Sequence, residues 1–243
     1  TDAGPTTISP TDVEYPEHAD ADGIGDVAAF TDAMFQELAD EGYSANYSMW
    51  TGETDVVSTQ IRLEQDPAAS TLYTLRRFEM GWQRTHYDRF ETYVHEGTWY
   101  SYTNTSEPPV IAAPYDPTDR WHYNYTANPI VWRVSAVLER LELEASHGVE
   151  RGDTTMIVYD VTAFHEGGTT YTNGTGQVVV DERGVLRSYS MSFPAPLPGN
   201  RLRDAFTLST ATPTIEEPDW VAAANESATR TAPATTGVTS TDG

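Results

Sequence analysis

The chain has 243 residues, with 37 Asp and Glu against 14 basic side chains that are all arginine, and a formal net charge of -23. Such acidity excludes nucleic acid, whose phosphates require a basic surface. The absence of cysteine excludes disulfides, thiolate metal sites and cysteine nucleophiles, and no apolar run approaches the roughly 18 residues needed to cross a bilayer.

The missing lysines have a physical reading. Guanidinium is less strongly hydrated than ammonium and pairs bidentately with carboxylates. Self-repulsion at this charge density disfavours a compact state in dilute buffer, and multimolar salt screens it over a few ångströms. The composition therefore reads as adaptation to very high salt. Five of the seven asparagines lie in Asn-x-Ser/Thr sequons, namely Asn46, Asn104, Asn124, Asn173 and Asn225. These are glycosylation candidates and point to an exported protein.

Residues 1–23 are rich in Pro, Thr, Asp and Gly and read as a flexible tether. Asp26 then opens a helix to about residue 40, with Val27, Phe30, Met34 and Leu38 on one stripe and Gly42 just beyond its end. Alternating runs follow. Tyr43, Ala45, Tyr47 and Met49 share a face in 43–51, as do Val57, Thr59, Ile61 and Leu63 in 56–65. Leu72, Thr74, Phe78 and Met80 do so in 70–80, and runs 84–95 and 98–103 meet at the turn His95-Glu96-Gly97.

Residues 104–127 are irregular and proline-rich. A second helix begins with Asn128 as N-cap and Pro129 at the first helical position, and is expected to run until Gly148. Its stripe is Ile130, Val134, Val137, Leu138, Leu141 and Ala145. Strands at 154–164, 169–180, 184–193 and 203–212 come next, with turns at 165–168 and 181–184. Pro218-Asp219-Trp220 starts a short closing helix, and 225–243 read as a disordered Thr/Ala-rich tail. The folded domain is expected over 24–224. Two helices, each followed by antiparallel hairpins, predict an α+β fold with one curved sheet and both helices across a single face.

The tether ending in Tyr15-Pro16, Gly23-Ile24, the helix with Phe30 and Leu38, the Asn-Tyr-Ser strand, the proline-opened central helix, residues 178–193 (VVVDERGVLRSYSMSF) and the closing Pro218-Asp219-Trp220 form a pattern. In it the chain resembles the cell-surface lipoproteins of haloarchaea, a family related in fold to the bacterial LolA and LppX lipoprotein carriers. The resemblance spans about 15–224 and implies a half-barrel of about 9–10 strands whose concave face is closed by helices. It also implies an apolar pocket for acyl chains and anchoring through a lipidated cysteine. This chain has no cysteine, so either Thr1 directly follows a removed anchor residue or anchoring does not apply.

Catalytic motifs are weak. His95-Glu96 and His165-Glu166 lack the second histidine a metalloprotease helix needs, since Trp99 and Thr169 stand four positions on. His86 and Asp88 share a strand face without an identifiable third ligand. The expectation is a protein with no enzymatic activity, no cofactor and no metal.

The aromatic and methionine residues are more informative. Tyr47, Met49, Leu72, Phe78, Met80, Trp82, Trp99, Tyr189, Met191 and Phe193 line one sheet face, opposite Val134 and Leu138 of the central helix. They form either a packed core or the adaptable wall of an apolar cavity. Arg76 and Arg187 fall on the same alternation, and the sheet rim is expected for both because an inward guanidinium is costly unless paired. Residues 115–127, with Trp121 and Tyr123, are lid candidates. The sequence thus points to an exported, non-catalytic cell-surface protein holding a lipid or other apolar ligand. The alternative is an envelope interaction module with a filled core.

Overall fold

The structure is a computed structural model and describes residues 4–38, 41–52, 57–80, 86–104, 110–114, 129–194 and 201–231. Three short strands come first: β1 (Thr6–Ile8), β2 (Ala19–Asp20) and β3 (Gly23–Ile24). Helix α1 (Val27–Glu37) starts where the Asp26 carboxylate accepts the Ala29 N–H at 3.0 Å. It turns Phe30, Met34 and Phe35 into the core, as its spacing requires. A meander follows: β4 (Tyr43–Gly52), β5 (Val57–Asp66), β6 (Thr71–Met80), β7 (His86–His95), β8 (Thr98–Thr103) and β9 (Val110–Pro114). Helix α2 (Pro129–Leu138) leads into a second meander of β10 (Leu141–Arg151), β11 (Thr154–Glu166), β12 (Thr169–Tyr171), β13 (Thr175–Asp181), β14 (Leu186–Pro194) and β15 (Arg201–Ser209). Helix α3 (Trp220–Thr231) closes the described chain.

The α+β expectation holds. The main sheet runs β1-β10-β11-β13-β14-β15-β4-β5-β6-β7-β8-β9, with β12 attached to β11, and every pairing is antiparallel. It is open, with β1 and β9 at its two ends, and forms a half-barrel larger than the expected nine or ten strands. The two meanders are joined where β15 pairs with β4. Because β9 and β10 lie near opposite ends, the chain between them must pass across the sheet. Helix α2 is part of that crossing and packs on α1 and on β4 and β5 near the middle. Ile130 and Val134 are fully buried there, and each such burial contributes about 1.5–3 kcal/mol.

Several expectations are corrected. The central helix ends at Leu138, and 141–151 form β10. Leu141 and Ala145, assigned to a helical stripe, instead alternate with the exposed Glu142 and Glu144, and Leu141 pairs with Phe164. The period-two pattern wins because β11 offers a full-length partner. Residues read as a tether carry structure from Thr6: β1 pairs with β10, and Val13 and Pro16 are buried. The close fit of Ile8 over Gly148 explains this, since a Cβ on that glycine would meet Ile8 Cγ1 at 2.5 Å. Helix α3 runs past residue 224, so Asn225 is helical; residues 232–243 lie outside the described chain.

Arg187, expected at the rim, pairs with the fully buried Asp181 through Nε at 2.9 Å and Nη2 at 2.7 Å. The other oxygen of Asp181 accepts the backbone N–H groups of Arg183 and Val185, and Gly184 supplies the positive φ (82°) that the turn requires. One carboxylate thus fixes the hairpin and neutralises Arg187 at the start of β14.

Candidate ligand-binding face

The strand registers define the inner face row by row. Tyr47 on β4 stands opposite Phe206 on β15, which stands opposite Tyr189 on β14. Asp204 is flanked in the same way by Met49 and Met191. On the other side of β4, Ile61 pairs with Arg76 and Arg76 with Phe90, while Leu63 pairs with Thr74 and Thr74 with Thr92.

Most of the residues expected on this face are present and packed together. Tyr47, Leu72, Val134, Leu138, Tyr189, Met191 and Phe193 belong to one buried cluster with Phe30 and Met34 of α1, and Met49 and Trp99 are half-buried against it. Phe78 and Met80 belong to β6. Trp82, Trp121, Tyr123 and the sequon residue Asn124 lie outside the described residues, as does the expected lid over 115–127. Asn46, Asn104, Asn173 and Asn225 are exposed. Two candidates also border clefts. Met191, with Asp160, Gln177 and Ser190, lines a groove of about 530 Å³, and Leu138, with Ile24, Glu142 and Leu143, one of about 390 Å³.

The chemistry of the face comes from residues the aromatic pattern did not nominate. Asp204 is 4% exposed in the middle of the sheet. Its Oδ2 accepts the Tyr47 hydroxyl at 2.8 Å and its Oδ1 the Tyr189 hydroxyl at 3.0 Å. Burial pushes its pKa up to about 7, against the opposing pull of the two hydroxyls and of Arg133 and Arg140. Burial and the neighbouring carboxylate raise both tyrosines above their ordinary range, so they remain donors. In the sequence Asp204 stands in the apolar phase of Leu202, Phe206 and Leu208, which alternation alone does not mark as a site. Arg133 is one turn from Ile130 and Val137 on α2, at the flank of the buried stripe. Arg76 is half-buried on the inner side of β6 rather than held at the rim by its strand position. Burial first, and then the charge of Arg133, lower its pKa.

The histidine-glutamate pairs have structural surroundings. The His95 ring stacks on Tyr93 and meets Thr71 Oγ1 at 3.0 Å, and His165 pairs with Glu142 at 2.8 Å. Among the described residues no three His, Asp or Glu side chains come together as metal ligands.

The fold and this face define an open antiparallel half-barrel with helices across its inner side. No protein-family model matches the chain, and no curated protein matches it significantly. Solved structures with distant likeness include LprF from Mycobacterium bovis, at 12% identity, covering 79% of this chain and 96% of that one with a TM-score of 0.35. A DUF1329 family protein from Desulfovibrio piger has 11% identity, 78% and 95% coverage and a TM-score of 0.24. Likenesses at this level carry no weight for ligand or activity.

Proposed function

We propose that this is a non-catalytic binding protein of a high-salt cell surface, holding a lipid or other apolar ligand between the curved sheet and its helices. The observation that carries the reading is the inner face itself. It is an aromatic and methionine-rich surface that continues from the packed centre to the half-buried Met49 and Trp99 and the exposed Phe90. Such a wall adapts to flexible chains. The resemblance to haloarchaeal lipoproteins and to LolA-like carriers supports the same reading, as does the exposure of Asn46, Asn104, Asn173 and Asn225 for export and glycosylation. Anchoring at the N-terminus belongs to this proposal.

A second reading is an envelope interaction module without a small ligand. The dense packing of Tyr47, Phe193 and Phe206, each at most 1% exposed, favours it. Native mass spectrometry and solvent extraction of the protein from its own cells separate the two. A stoichiometric lipid or isoprenoid supports the carrier. Protein that is ligand-free from its own cells, and that takes up no added apolar probe, sinks it.

A further inference from the structure

We propose that the outer side of the sheet carries a second site, a cleft that takes a neutral saccharide unit, independent of the apolar ligand assigned to the inner face. The cleft lies between strands β5–β7 and the segment 214–220 and has a volume of about 430 Å³, within the roughly 300–1,000 Å³ of small-molecule sites. Strand parity builds its floor. Arg62, Glu64, Tyr73 and Glu91 stand on the side opposite the buried Ile61, Leu63 and Thr74. Glu64 pairs across the strands with Tyr73, and Leu75 stands between Arg62 and Glu91 in the next row. Trp220, the first residue of α3, forms one wall, and both it and Tyr73 are half-buried.

The floor is charged although it is buried. Glu91 is 3% and Glu64 9% exposed. Arg89 pairs with Glu91 Oε1 and Arg62 with Glu64 Oε1, while Glu91 Oε2 accepts from Tyr73 at 2.9 Å and from Trp220 at 3.1 Å. Apolar side chains of similar volume hold a packed interface as well as buried ion pairs do. Fastening α3 therefore accounts for Trp220 but not for two desolvated acids with their arginines. What these pairs achieve is a fixed set of donors and acceptors. The Arg62 and Arg89 side chains are 51% and 46% exposed, and among the described residues each guanidinium meets a single carboxylate and Glu64 Oε2 has no partner. Spare N–H groups and a spare carboxylate oxygen thus border a cleft with aromatic walls.

A saccharide matches that lining, because its hydroxyls both donate and accept and its C–H face packs on aromatic rings. An anion would meet five carboxylates, since Glu216, Glu217 and Asp219 join the buried pair, and a simple cation would meet the two guanidiniums. A neutral ligand avoids both, and its affinity survives high salt, where attraction between exposed charges is screened.

The test uses the full chain in high-salt buffer and follows ligands by saturation-transfer NMR. The probes are the methyl glycosides of glucose, galactose, mannose and N-acetylglucosamine, with glycine as a zwitterion and ethylammonium as a cation. At least one glycoside is expected to bind with a Kd on the order of 1 mM. Arg62→Ala should weaken it about tenfold and leave amide exchange in α3 unchanged. The double variant Glu216→Ala with Glu217→Ala, at exposed residues with no part in fastening α3, should weaken it as well and decides the matter if Arg62→Ala loosens the helix. Absence of binding by all four glycosides up to about 50 mM overturns the site. Affinity unchanged in both variants places the saccharide elsewhere and overturns it too. Glycine or ethylammonium binding as tightly as the best glycoside overturns the neutral class of ligand.

Discussion

The Tyr47 hydroxyl donates to Asp204 Oδ2 at 2.8 Å, joining two residues 157 positions apart at the seam between the meanders. The seam is also where the sheet carries its buried acid, between Met49 and Met191. A carboxyl at that position is costly when ionised, and the two tyrosine hydroxyls recover only part of the cost.

Asp204 therefore makes stability depend on pH. Its pKa is raised in the folded state from 3.8 to about 7, so the folded protein holds the extra proton between those values. Its contribution is complete below the lower value and is lost as pH rises through the upper one. Asp204→Asn removes this dependence. Between about pH 4 and 8 the stability difference should move in favour of the variant by on the order of 3 kcal/mol. Urea unfolding of both proteins at constant salt measures it, and parallel pH profiles would refute it.

Asp181 is the second buried acid, and removing it should act differently. Asp181→Ala leaves the half-buried Arg187 unpaired and two turn N–H groups without their acceptor. A loss of about 3–5 kcal/mol is expected, read as a lower urea midpoint with an unchanged slope. Arg187→Met keeps the turn contacts and should cost less.

Helix α3 is fastened to the outer side of the sheet by Trp220, which stacks on Tyr102 with centroids 5.8 Å apart and donates Nε1–H to the buried Glu91 at 3.1 Å. Tyr73 donates to the same oxygen at 2.9 Å, and burial and Glu91 push its pKa up to about 12. Trp220→Phe keeps the stack but drops one donor to a buried carboxylate, at about 1–3 kcal/mol. Trp220→Ala loses both and should expose α3 to fast amide exchange. Unchanged exchange in α3 of the alanine variant would remove Trp220 as the fastening.

The excess of carboxylates predicts a salt requirement. Raising KCl from about 0.2 M to about 2 M should raise the thermal midpoint markedly, because a shorter Debye length relieves self-repulsion. The same titration on Asp204→Asn should rise in parallel, since that carboxyl is shielded from bulk ions by burial. A midpoint that is flat or falls with salt contradicts the reading of the lysine-free composition.

Much of the candidate face was readable from alternation. The parity of Tyr43, Ala45, Tyr47 and Met49, and of Tyr189, Met191 and Phe193, assigned those residues to one side because a strand turns successive side chains to opposite faces. The same test passes over Asp204, since an acid in an apolar phase reads as noise until its donors are known. The helical spacing misassigned Leu141 and Ala145, which fit a helical stripe as well as they fit a strand.

By itself the sequence determined the acidic, arginine-only exterior, helix α1, the Asp181 hairpin and which side chains share a face, all set by composition or by neighbours a few residues away. The tertiary structure alone decided which strands meet. It joined β15 to β4, which brings Tyr47 to Asp204, and laid α2 over β4 and β5, which buries Ile130 and Val134. Alternation specifies the side of a strand and is silent on its partner, because pairing is a competition among all strands for hydrogen bonds and burial.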